Sequence, residues 1–156
     1  MTRPPGPKPC AEAVVIRDGE VLLMRRARDP WRGAWEVPGG FCEDAEHPAL
    51  AAQRELREEL GLDGRVVAYI GSWIDVYGSA QDNQSHEHTL NCAYLVELVD
   101  PAASPTLQAE EVLDARWFGL DALPEPLAFP DHMPAVLRAA GRLDPEDLPP
   151  LLDLVP

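Results

Sequence analysis

Cysteine is scarce in this chain of 156 residues. Cys10, Cys42 and Cys92 are odd in number and share no repeating spacing. That argues against a disulfide framework and suits a reducing, cytoplasmic setting. Basic residues are few: 13 Lys and Arg stand against 27 Asp and Glu, a formal charge of -14. A basic surface for nucleic acid is therefore not expected. An anionic substrate, repelled by the whole-molecule field, has to be held by local devices such as a metal ion, arginines or backbone N–H groups. No stretch approaches the roughly 18 consecutive apolar residues of a membrane span. The opening MTRPPGPKP is proline-rich and has no apolar run of the signal-peptide kind. A G-x-S-x-G elbow and a Walker A loop are both missing, which leaves serine-nucleophile and P-loop chemistry without support, and no internal repeat is visible.

What remains is a chain with 46% apolar residues, long enough for one domain with a proper core. The expected organisation is an N-terminal arm over 1–10, flexible or extended, a single domain over 11–142, and an acidic, proline-rich tail over 143–156. Ala11–Arg17 and Val21–Arg26 flank Asp18-Gly19 and predict a hairpin. Arg65–Tyr77 and Thr89–Leu98 read as strands, with a bend or bulge at Gly71. Pro134–Arg142 reads as a closing helix with proline at its start.

The densest chemistry lies in Gly40–Leu62, GFCEDAEHPALAAQRELREELGL. Pro38-Gly39-Gly40 is a turn signal that lets backbone approach a ligand closely. Ala49–Leu60 is built from good helix formers and ends at Gly61, suited to a left-handed cap. On such a helix Ala52, Leu56 and Leu60 form an apolar stripe, while Glu55, Glu58 and Glu59 fall within an arc of about 100°. Like charges at that spacing repel. Taken alone, the three carboxylates fit either a solvated acidic face or a site for a hard divalent cation. Arg54 and the upstream Gly-Gly turn favour the cation.

Gly40, Glu46, Arg54-Glu55-Leu56, Glu58-Glu59 and Gly61-Leu62, at their spacings, resemble the complete Nudix box of Nudix hydrolases, and GAWEVPGG resembles the lead-in that precedes it. The resemblance implies an α/β/α sandwich around a mixed, partly open sheet. It implies cleavage of a nucleoside diphosphate linked to another moiety, with Mg2+ or Mn2+ held by Glu55, Glu58 and Glu59 together with the carbonyl of Gly39. Glu46 and Arg54 are expected to orient those ligands. Glu58, Glu59 and Glu111 are all candidates for the general base, with Arg54 in the same catalytic group.

Substrate-side candidates are Arg26, Trp31, Glu46, Glu110 and His132. Trp31 sits on a loop, where it can stack on a base, whereas Trp35 reads as core. Trp117 and Phe118 are expected to pack on the box helix. His86 and His88 form a His-x-His pair that, without further ligands, reads as a solvated loop. The flanking sequence resembles enzymes acting on ADP-ribose or dinucleotides such as NADH. A pyrophosphatase of oxidised triphosphates such as 8-oxo-dGTP, and a non-catalytic ligand sensor, are the alternatives. A small-molecule nucleotide partner, no nucleic acid, no membrane and a homodimer complete the expectation.

Overall fold

A computed structural model describes residues 2–3, 5–77, 87–144 and 146. Eight strands and two helices occur among them: β1 Lys8–Val14, β2 Ile16–Arg17, β3 Glu20–Arg26, β4 Trp35–Glu36, β5 Gly39–Phe41, α1 Pro48–Leu60, β6 Gly64–Tyr77, β7 Glu87–Leu98, β8 Val112–Gly119 and α2 Met133–Gly141. Strand β1 starts inside the segment 1–10. His86 and most of the tail lie outside the described residues.

The strands form two sheets. The first, in the order β5-β1-β7-β6, is mixed: β1 runs parallel to β7, and the other two pairs are antiparallel. The second is antiparallel, with β2, β4 and β8 all pairing with β3. The expected hairpin forms across Asp18 and Gly19, which take φ of 51° and 76°. Its first arm is broken at Val15, where the chain passes from one sheet to the other. Register shifts in β6 lie between Val66 and Ala68 and between Tyr69 and Gly71, so bulges bend this long strand near the expected position.

Helix α1 begins where His47 Nδ1 accepts a hydrogen bond from the Ala49 amide. It ends at Gly61, whose φ of 63° is a left-handed conformation that costs glycine little. Ala52, Leu56 and Leu60 are fully buried against Ala11, Ala13, Val66 and Val96. Helix α2 buries Met133, Val136 and Leu137 in a second cluster with Val14, Leu23 and Trp35. Strand β1 feeds both clusters because alternate side chains point to opposite faces. Ala11 and Ala13 join the α1 cluster and Val14 the α2 cluster, and Glu12 has the parity of Val14. Trp117 packs on the α1 cluster as expected and carries the Arg17 guanidinium 4.0 Å from its ring. Phe118 instead meets Trp35 edge-on, with centroids 4.9 Å apart in the α2 cluster, because adjacent strand positions cannot share a face. Among the described residues no helix is long and apolar enough to cross a membrane.

Candidate active site

The Gly39-Gly40 backbone runs directly against α1. The Gly39 amide donates to Glu59 Oε1 at 2.8 Å. A Cβ on Gly40 would stand 2.6 Å from Glu55 Oε1, and one on Gly39 would stand 2.5 Å from the Ala11 carbonyl. Only glycine lets this strand approach both the helix carboxylates and β1 so closely. Arg54 organises the acidic residues around it. Its Nε and Nη2 form a two-pronged pair with Glu46 at 2.8 and 2.9 Å. Its Nη1 donates to Glu55 and Glu58, each at 3.0 Å, and Nη2 also donates to the Phe41 carbonyl at 3.1 Å.

Glu55, Glu58, Glu59 and Glu111 line one cavity of about 360 Å³ together with Gly39 and Gly40. Burial, then the charges of Glu36 and Glu55, hold the Glu59 carboxyl well above the usual range. Burial also raises Glu55, with the Arg54 charge working the other way. Glu46 moves down, mainly through its hydrogen bonds from Arg54. As they stand, no three acidic, His or Cys groups among the described residues are arranged to hold a metal ion. Arg54 draws Glu55 and Glu58 to itself, and the Gly39 amide holds Glu59. The donor chemistry still fits a hard divalent cation: the side chains are all-oxygen, they share a cavity, and their mutual repulsion is what a cation offsets.

The remaining walls carry two further buried networks. Arg26 Nη1 lies 2.9 Å from both oxygens of Glu36, and Arg26 Nε donates to the Pro30 carbonyl. The guanidinium sits 5.1 Å from the centre of the Phe129 ring. Burial pushes Glu36 up to about 7 despite Arg26. Behind this, His132 joins two carboxylates, with Nε2 2.6 Å from Glu12 and Nδ1 2.5 Å from Asp75. All three are buried. Burial alone would lower the His132 pKa, but hydrogen bonds and charge from Glu12, and then from Asp75, raise it to about 9.

The structure gathers Arg26, Gly39, Glu55, Glu58, Glu59 and Glu111 on the cavity wall. Arg54 and Glu46 stand behind the glutamates as a scaffold. Trp31 and Glu110 are not among the wall residues, and Glu110 is an exposed partner of Arg28. His132 is buried behind Glu12 rather than facing the cleft. Glu12, Glu36, Asn91 and Phe129 line the cavity without having been singled out. A signal existed for Glu12, a lone carboxylate in the apolar run AEAVVI. The buried Asp75, a lone carboxylate in WIDVY, carried the same signal, and Asn91 carried none.

Comparison with known proteins agrees with this fold. The NUDIX domain model matches residues 7–139. An ADP-ribose pyrophosphatase of Methanocaldococcus jannaschii is 29% identical over 126 residues, covering 81% of this chain and 69% of that protein. The NAD-capped RNA hydrolase NudC of Pseudomonas aeruginosa is 35% identical over 116 residues, 74% of this chain but only 37% of NudC. Among solved structures, a MutT NUDIX hydrolase from Burkholderia pseudomallei superposes with a TM-score of 0.74 at 27% identity, covering 86% of this chain and 98% of that one. Fold and site define the class of a Nudix hydrolase acting on a pyrophosphate bond. The chain belongs to the Nudix family.

Proposed function

We propose that this protein is a Mg2+- or Mn2+-dependent pyrophosphohydrolase that cleaves a nucleoside diphosphate linked to another moiety, with ADP-ribose or a dinucleotide such as NADH as substrate. One observation carries the reading: four glutamates, Glu55, Glu58 and Glu59 from α1 and Glu111 from the turn before β8, share a cavity with a Gly-Gly backbone that only glycine can form. The ADP-ribose pyrophosphatase relative supports the choice of substrate. The acidic composition favours a small nucleotide over a long polyanion.

Glu55, Glu58 and Glu59, with the Gly39 carbonyl, would hold the ion. When bound, a divalent ion supplies charge neutralisation at the phosphate oxygens and a more acidic water. Arg54, anchored by Glu46, holds Glu55 and Glu58, and the Gly39 amide holds Glu59. Glu111 lies on a different segment, outside the hydrogen bonds of Arg54 and 3.6 Å from Arg28, and in this reading takes the proton of the attacking water; Glu58 and Glu59 are the other carboxylates able to do so. Arg26, bound to Glu36, shapes the substrate side. The three unpaired cysteines suit the cytoplasm. A homodimer completes the reading; the edge strand β6, with Tyr69 and Ile74 exposed, offers a surface for it.

The test is formation of phosphorylated cleavage products (nucleoside monophosphates and their partner fragments) with Mg2+ from ADP-ribose, NADH, diadenosine polyphosphates and 8-oxo-dGTP. Turnover of the first two supports the assignment. Turnover of 8-oxo-dGTP alone would make the protein a triphosphate pyrophosphatase. Tight binding of one compound with turnover of none would make it a sensor.

A further inference from the structure

The cavity has a second polar wall that the pyrophosphate chemistry leaves unused. By strand register Cys10 pairs with Asn91 and Glu12 with Ala93, so Glu12 and Asn91 are diagonal neighbours on one face of the mixed sheet. Both are at least nine-tenths buried and both line the cavity. The Asn91 amide nitrogen is held by the Trp73 carbonyl at 3.2 Å and by Thr89 Oγ1 at 3.0 Å. Its oxygen is what Asn91 has left to offer. Glu12 uses Oε1 on His132, whose other nitrogen is tied to Asp75. Its Oε2 is buried and has no hydrogen-bond partner among the described residues. Burying an unpartnered acceptor is costly, and native structures seldom do so without a purpose. This wall therefore presents acceptors and asks for donors.

Close to it stands a flat apolar group. Phe129 lines the same cavity, with the Arg26 guanidinium over its ring and the His132 ring 5.9 Å away. An aromatic ring beside two fixed acceptors suits a planar, donor-bearing ligand. We propose that Glu12 and Asn91 read the exocyclic amine of a nucleobase lodged against Phe129. The cavity then selects amino-bearing bases and rejects counterparts lacking the amine. The proposal rests on the reading that the cavity takes a nucleotide. His132 and Asp75 act behind the wall as positioning residues that fix which oxygen of Glu12 is offered.

The experiment is calorimetric binding of uncleavable α,β-methylene diphosphates in matched pairs that differ only in the amine: adenosine against purine riboside, and guanosine against inosine. At least one pair should favour the amine by about 10- to 100-fold, the range of a hydrogen bond to a charged group. Glu12→Gln keeps a carbonyl for His132 but turns an N–H toward the ligand, so it should collapse that preference, and Asn91→Leu should weaken it. Equal affinity within both wild-type pairs would overturn the proposal, and this measurement needs no variant to fold. So would a preference that survives both substitutions in proteins with unchanged thermal unfolding. Because binding is read without turnover, amine selectivity in a protein that hydrolyses nothing would sink the hydrolase reading and leave this one standing.

Discussion

Replacing His132 by Asn removes the cation from a buried trio and should change how stability responds to pH. In the fold His132 stands between Glu12 and Asp75 at 2.6 and 2.5 Å, with both of its nitrogens engaged. Its pKa rises from the ordinary 6.5 to about 9. A group whose pKa is higher folded than unfolded binds its proton more tightly in the native state. That stabilisation is fully present below pH 6.5 and is lost as pH rises through 9. The gap corresponds to about 3 kcal/mol, taken as an order of magnitude. Urea unfolding of the wild type should accordingly show a midpoint that falls between pH 6 and pH 10, with the m-value nearly constant. The Asn variant should be weaker at pH 6 and much flatter over that range. Parallel profiles for the two proteins would refute the argument, because they would show that no proton is held between Glu12 and Asp75.

Four other outcomes follow from the geometry. Glu58→Gln should cut turnover by orders of magnitude with an unchanged circular dichroism spectrum and melting curve; an unchanged rate would remove Glu58 from the scheme. Arg54→Ala deletes the brace on Glu46, Glu55 and Glu58 and should cost about 10- to 100-fold in activity or metal affinity, read by titrating Mg2+ into the assay. Gly40→Ala forces a methyl within 2.6 Å of the Glu55 carboxylate, so it should abolish most turnover through displacement of that side chain, measured as kcat against metal concentration. Leu56→Ala, at a fully buried position under the box helix, should destabilise by about 2–5 kcal/mol in chemical denaturation.

Helix α1, its glycine cap and the carboxylate trio were legible in order along the chain, because each depends on residues within a few positions of one another; Gly39-Gly40, read as a turn, instead lies in strand β5, held there by its pairing with the distant β1. The hairpin at Asp18-Gly19 and the bend near Gly71 were legible for the same reason. The split into two sheets was not. It depends on β1 pairing in parallel with β7, about 80 positions away, and on a break at Val15 that no turn residue announces. His132 shows the same limit. In the sequence it looked like a residue facing the cleft, but folding brings it to partners 57 and 120 positions away and buries all three. Local spacing decides which residues share a helical face, whereas strand register and sheet packing decide which distant charges must neutralise one another. The acidic edge of the cavity belongs to the first kind of information and its buried polar wall to the second.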